Sequence, residues 1–251
     1  MDYTIAENYT LPSMGKIYGV EVNPNIKIRS MTTQEEMKRL TPSDGAYKNI
    51  CEIIDDCLVE KPGISSYDMH LGDYQFLLHK MRVVTYGDEY TVQSVCPYCS
   101  SINSDTISLD DIQVFEFDEE KFKELFEFEL PKSKRRIKLR MQTPRILDEI
   151  QERAKELKKK ARNFIGDPAF LLSIEMMIAE IDGVKPNPLN LTDFVKQLPM
   201  MDTNYIVKHC QKINESIGLD TKLSNTCEVC GLDYENRFRT NGEFFGPNID
   251  I

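Results

Sequence analysis

Cys96-Pro97-Tyr98-Cys99 near the middle of the chain and Cys227-Glu228-Val229-Cys230 near its end are the stretches on which the reading turns. Nine residues before each pair stands a glycine, Gly87 and Gly218, so one shift of 131 positions superposes a glycine and both cysteines. The match continues upstream through gaps. Asp73 in Leu71-Gly72-Asp73-Tyr74 corresponds to Asp202 in Pro199-Met200-Met201-Asp202, and Lys61-Pro62 to Lys185-Pro186. Further back, Ile26-Lys27-Ile28-Arg29 with Thr32 parallels Ile137-Lys138-Leu139-Arg140 with Thr143, and Leu11-Pro12 parallels Leu130-Pro131. A repeat of this length names the architecture before any single element does. The expected fold is α+β: two duplicated lobes, 1–118 and 119–251, each a strand hairpin, helices and a cysteine-bearing hairpin, joined through a shared zinc-ribbon-like site.

The elements follow from periodicity and punctuation. Residues 9–29 read as extended structure with turns at Pro12, Gly15 and Asn23-Pro24-Asn25. Thr32 and Glu35, or Thr33 and Glu36, form a capping box that starts a helix. Ile50, Ile53, Ile54, Cys57 and Leu58 recur at helical spacing and predict a buried face over Tyr47 to Val59. A helix over Asp73 to Thr85 ends at Tyr86-Gly87, and strands around Tyr90-Thr91-Val92 and Thr106 to Leu109 flank the first cysteine pair. The second lobe repeats this plan with strands at Phe126 to Leu130 and Arg136 to Met141. Its helices fall at Pro144 to Phe164, Pro168 to Ile181 and Asp202 to Ile217. The Met176-Met177 and Met200-Met201 pairs read as core filler rather than adaptable surface.

The 251 residues, 41% apolar, suffice for a sizeable core. No run approaches the twenty or so apolar residues that span a bilayer, and Met1-Asp2-Tyr3-Thr4 lacks the features of an export signal, so no membrane partner is expected. A formal charge of −10 opposes broad attraction to nucleic acid. Lys155, Lys158, Lys159, Lys160 and Arg162 are interleaved with Glu149, Glu152 and Glu156, which predicts a solvated helix face with a Glu156–Lys160 pair.

Seven cysteines in a reducing compartment serve as metal ligands or core residues. A Cys-x-x-Cys turn offers two thiolates to one tetrahedral ion, and two such turns close a structural zinc site. Here 127 residues separate the pairs, so spacing alone leaves several arrangements open. They are one shared site at Cys96, Cys99, Cys227 and Cys230, two sites completed by other ligands, a redox pair, and metal-free packing. The repeat favours the shared site, because an approximate twofold brings equivalent turns face to face. Cys51 and Cys57 lie six positions apart, about 240° around a helix, and do not project together. The three histidines, His70, His79 and His209, stand in no catalytic motif, and neither a phosphate loop nor a nucleophile elbow is present.

Taken together these residues resemble the T4-like bacteriophage baseplate hub assembly proteins, often described as hub assembly chaperones. The carrying features are Leu11 to Gly15; Ile28 to Glu36; Leu78 to Arg82 with Tyr86-Gly87; both cysteine pairs; Leu198, Pro199 and Asp202; and the ending Glu243-Phe244-Phe245-Gly246-Pro247. The resemblance implies a non-enzymatic tail protein that acts in the host cytoplasm during assembly and can remain in the virion. Hub and tape-measure proteins would be its partners. The family supplies no catalytic residue and no ligand set, so the Zn2+ assignment rests on this chain's own cysteines. The apolar ending from Arg237 to Ile251 either packs on its own domain or anchors a partner, with the first preferred. The competing function is a zinc-ribbon adaptor in transcription or another nucleic-acid process, which Asp105, Asp110, Asp111, Glu228, Asp233 and Glu235 oppose.

Overall fold

The computed structural model describes residues 4–43, 45–160, 166–238 and 242–245. It is a mixed helix and strand fold with several small antiparallel sheets. Strands β1 (Ala6–Thr10), β2 (Asn25–Arg29) and β3 (Leu58–Glu60) form the first sheet in that order. Helices α1 (Thr33–Arg39) and α2 (Lys48–Cys57) lie between β2 and β3. Then come a 3-10 turn at Ser66–Asp68, the helix α3 (Leu71–Tyr86), and the hairpin β4 (Glu89–Val95) and β5 (Ile102–Ser108). Strand β6 (Val114–Phe115) and helix α4 (Glu119–Phe126) lead into the second half.

There β7 (Glu127–Glu129), β8 (Arg136–Leu139) and β9 (Ile178–Ile181) form another three-stranded sheet in sequence order. Helices α5 (Pro144–Lys160) and α6 (Pro168–Met177) lie between β8 and β9. Helices α7 (Pro188–Gln197) and α8 (Met200–Glu215) follow, then β10 (Gly218–Leu219) and the hairpin β11 (Lys222–Thr226) and β12 (Asp233–Arg237). Both sheets carry a register shift in the middle strand, between Lys27 and Ile28 in one and between Lys138 and Leu139 in the other. The long helices also begin alike. Asp73 near the start of α3 accepts the Ser13 amide at 3.0 Å, the Ser13 hydroxyl at 2.5 Å and the Tyr18 hydroxyl at 2.5 Å. Asp202 near the start of α8 accepts the Lys132 and Ser133 amides, each at 2.8 Å. Both carboxylates are fully buried, so each tethers the loop after a first strand at a site where a missing donor would be costly.

Local sequence explains most boundaries. Thr32 and Glu35 form the expected capping box on α1, and Glu35 is further held by Arg29 at 2.7 Å. The expected helix over Tyr47 to Val59 stops at Cys57, and the one over Pro168 to Ile181 stops at Met177. In each case the chain passes directly into the third strand of its sheet. Ile178 pairs with Leu139 and Ile181 with Ile137, so ladder bonds and a β-branched inner face outcompete continued helix. Helices α4 and α7 were not expected. Asp118 caps the first, and Asn187 caps the second with Pro188 in its first turn, both standard start signals overlooked among charged and proline-rich residues.

Two main cores result. The first gathers Ile28, Ile54, Leu77 and Met81, and the second gathers Ile137, Ile174, Ile206 and Ile213. Phe238, Phe244 and Phe245, from the end of the chain, join the first. Arg82 is buried beneath them, donates to the Gly87 carbonyl at 2.7 Å, and sits 5.9 Å from the Phe244 ring centre. The described part of the apolar ending therefore packs on its own protein. Pro247 and Ile249 lie outside the described residues. Met200 and Met201 are corrections to the core reading: they are 60% and 56% exposed, because the first turn of α8 buries Asp202 and Thr203 instead.

The halves grip each other at two further points. Asp148 on α5 accepts the Tyr47 and Lys48 amides at 3.0–3.2 Å and the Tyr67 hydroxyl at 3.1 Å, thereby capping α2, which has no cap of its own. Gly72 in α3 lies so close to the residue before β10 that a Cβ there would stand 2.1 Å from the Ile217 carbonyl oxygen.

Candidate metal centre

The β4–β5 and β11–β12 hairpins each turn through a cysteine pair, and the turns share one hydrogen-bond pattern. The Cys96 amide donates to the Ser101 carbonyl at 2.9 Å, and the Ser100 amide returns to the Cys96 carbonyl at 2.9 Å. Shifted by 131, the Cys227 amide donates to Leu232 at 3.0 Å and the Gly231 amide to Cys227 at 2.8 Å. Closing such a turn requires a left-handed residue after the second cysteine. It is Ser100 at φ 60° in one hairpin and Gly231 at φ 69° in the other.

The two turns meet. All four sulfurs lie within 4.8 Å of one another, Cys96 Sγ to Cys230 Sγ at 3.7 Å and Cys99 Sγ to Cys227 Sγ at 3.6 Å. Exchanging 96 for 227 and 99 for 230 turns one contact into the other, the relation of a local twofold. A tetrahedral ion with metal–sulfur bonds of about 2.3 Å separates its sulfurs by about 3.8 Å, so the donor set fits Zn2+ in both chemistry and spacing. None of the four is in a disulfide. The first cysteine of each pair is buried and the second exposed.

The surroundings favour charge on two of the sulfurs, those of Cys99 and Cys227. The Ser101 hydroxyl lies 3.0 Å from Cys99 Sγ and 3.1 Å from Cys227 Sγ and lowers both thiols, Cys227 to about 5. At Cys230 the Leu232 amide works in the same direction, but the neighbouring sulfurs of Cys227, Cys99 and Cys96 prevail and push it up to about 12. Crowded thiols of this kind ionise together only when a cation shares the site. Beneath them the hairpins are locked by buried polar groups. Tyr234 Oη is 2.6 Å from Ser94 Oγ and accepts from Asn103 Nδ2 at 3.1 Å, while Asn103 Oδ1 accepts the Glu228 amide at 3.1 Å.

Residues 3–246 match the family described as T4 bacteriophage base plate protein. The chain belongs to that family. Comparison with curated proteins and with solved structures finds no match. Membership makes this a phage baseplate structural protein, consistent with the resemblance carried by the same motifs.

The remaining candidates of this baseplate protein take ordinary structural places. Cys51, Cys57 and Cys210 are buried, and burial pushes their thiols up to about 12, 12 and 11, which leaves them unreactive core residues. His209 does not pair with Cys210 but stacks on Phe128 at 4.0 Å. His70 caps α3 by accepting the Gly72 amide, and His79 binds the Leu109 carbonyl. The far half of α5 exposes its lysines, and the Glu156–Lys160 pair forms at 3.2 Å. Arg162 lies outside the described residues, among which no helix is long and apolar enough to cross a membrane. Sequence reasoning missed Ser101, Asn103 and Tyr234. Asn103 and Tyr234 are equivalent under the same shift of 131, and a polar Asn103 at an inward-facing strand position was the available signal.

Proposed function

We propose that this protein is a non-enzymatic structural or assembly component of a contractile phage tail, which assists or forms the baseplate hub, with Cys96, Cys99, Cys227 and Cys230 holding one structural Zn2+. The baseplate role is supported by the family match over nearly the whole chain. The metal role is supported by one observation above the others: four sulfurs from turns 127 residues apart converge within 4.8 Å. Four thiolates leave no open position for substrate or water, so the ion stabilises and takes no part in chemistry. Cross-linking a loop of more than 100 residues restrains the unfolded chain by about 4–5 kcal/mol in the chain-entropy account, enough to decide whether the hairpins stay paired.

The shared element order, the matching register shifts and the paired roles of Asp73 and Asp202 support two duplicated lobes, 1–118 and 119–251, joined at the metal in a zinc-ribbon-like site. Hub and tape-measure proteins are the proposed partners, met in the host cytoplasm during assembly.

Metal analysis of purified protein tests the centre. One zinc per chain is expected, with Cys227→Ser reducing it at least tenfold and chelation lowering Tm. Metal-free wild type, or two ions per chain, refutes the shared site. An amber mutant of the phage tests the function: tails should lack hub-containing baseplates by electron microscopy, and normal baseplates would refute the role.

A further inference from the structure

The tips of the paired hairpins expose side chains that a solvated turn has no need for. Val95, Tyr98 and Ile102 are 63%, 62% and 72% exposed, and Val229 and Leu232 are 73% and 50% exposed. Val95 and Ile102 are direct cross-strand partners, and Tyr98 stands in the turn that joins them. Tyr98 and Val229 occupy the same position in the two cysteine turns, which the sulfur contacts hold against each other. Beside Tyr98 runs an open groove of about 570 Å³, lined also by Ser224, Thr226, Asp233, Tyr234 and Glu235. No lysine or arginine occurs between Gly87 and Glu120 or between Leu223 and Asn236, so the charges at the tip, Glu228, Asp233 and Glu235, are all negative. Four thiolates on one divalent ion add two further negative charges.

We propose that this metal-capped tip is a docking face for a basic, apolar-anchored segment of another protein. Its lysine or arginine side chains enter the groove between the Tyr98 ring and the Asp233 and Glu235 carboxylates, and its apolar side chains cover Tyr98 and Val229 at the two turns. The choice of occupant follows from charge. Nucleic acid is repelled by the tip. A second copy would have to offer the lysines of α5, which alternate with glutamates, or the exposed Lys134, Arg135 and Arg136, which already pair with Glu129, Asp182 and Glu127 of their own chain. A cation over an aromatic ring beside carboxylates is favourable on both counts, and a rigid apolar patch loses little freedom on binding. The inference rests on the contact-making role proposed above and specifies the partner's chemistry.

The test uses the full-length protein and a labelled peptide of alternating lysine and leucine, followed by fluorescence anisotropy. The double variants Tyr98→Ser with Val229→Ser, and Asp233→Lys with Glu235→Lys, should each weaken binding at least tenfold while Tm and zinc content stay at wild-type values. A photo-cross-linker at position 98 or 229, in cells co-producing the phage's other tail proteins, should attach to a segment rich in lysine or arginine. Undiminished binding by the variants overturns the proposal, as does equal affinity for a lysine–serine peptide or cross-linking chiefly to a second copy. If the variants lose binding in a protein that proves metal-free, docking stands and the zinc reading fails; if zinc is present and the variants bind normally, docking alone fails.

Discussion

Gly72→Ala measures how closely the two halves are pressed together. The added Cβ would stand 2.1 Å from the Ile217 carbonyl oxygen and 2.8 Å from its carbon, both backbone atoms that no rotamer change can move aside. Reaching a tolerable contact of about 3 Å requires α3 and the chain entering β10 to part by nearly 1 Å. Overpacking of this kind costs about 1–3 kcal/mol, against which the better helix propensity of alanine returns at most about 1 kcal/mol. Opposite the same point a Cβ on Gly218 would meet Gly72 at 2.8 Å, so relaxation from either side is blocked. We expect a net loss of about 2 kcal/mol, which at this chain length lowers Tm by about 4–8 °C. Calorimetry should be run beside Gly183→Ala, where a Cβ meets nothing within 4 Å and the cost is that of its φ of +77° alone. If Gly72→Ala is neutral or stabilising, the close crossing is absent and the halves are held by their other contacts, the paired hairpins, Asp148 and the phenylalanines of the first core among them.

Ser100→Gly relieves a left-handed serine and should stabilise by up to about 1 kcal/mol, whereas Gly231→Ala should cost about 1 kcal/mol, both read from urea unfolding of the zinc-loaded protein. Effects of the same sign would refute the shared turn geometry. Asp148→Ala leaves two amides and the Tyr67 hydroxyl without their acceptor and should cost about 1–3 kcal/mol, with faster amide exchange confined to the start of α2. Glu35 is held at about 2, chiefly by the Arg29 guanidinium, which outweighs burial, and then by Thr32. Its folded value lies below its ordinary 4.5, so its contribution is complete above pH 4.5 and fades as pH falls toward 2. That contribution is on the order of 2–3 kcal/mol, and Glu35→Gln should flatten the stability profile through that window.

Much of this was written along the chain. The capping box at Thr32, the helical stripe from Ile50 to Cys57, the stop at Gly87 and the matching cysteine turns are local signals, each set by residues within a few positions of one another. The third strands were not legible, because Leu58 to Glu60 and Ile178 to Ile181 continue an apolar run whose period fits helix until a partner strand is supplied. The exposure of Met200 and Met201 was hidden for a related reason. Which face of a helix turns inward depends on what lies opposite, and at α8 it is the loop gripped by Asp202.

The chain's own order of residues determined the mixed strand and helix plan and the two cysteine turns, because both depend on local spacing, and its motifs along most of the chain carried the resemblance to the baseplate family. Only the tertiary structure decided that the sulfurs of both turns occupy one place, that Ser101 sits against two of them, and that Phe244 returns to the first core. Those contacts join residues far apart in sequence. They depend on how the long segments between them pack, as at the Gly72 crossing and the Asp148 cap.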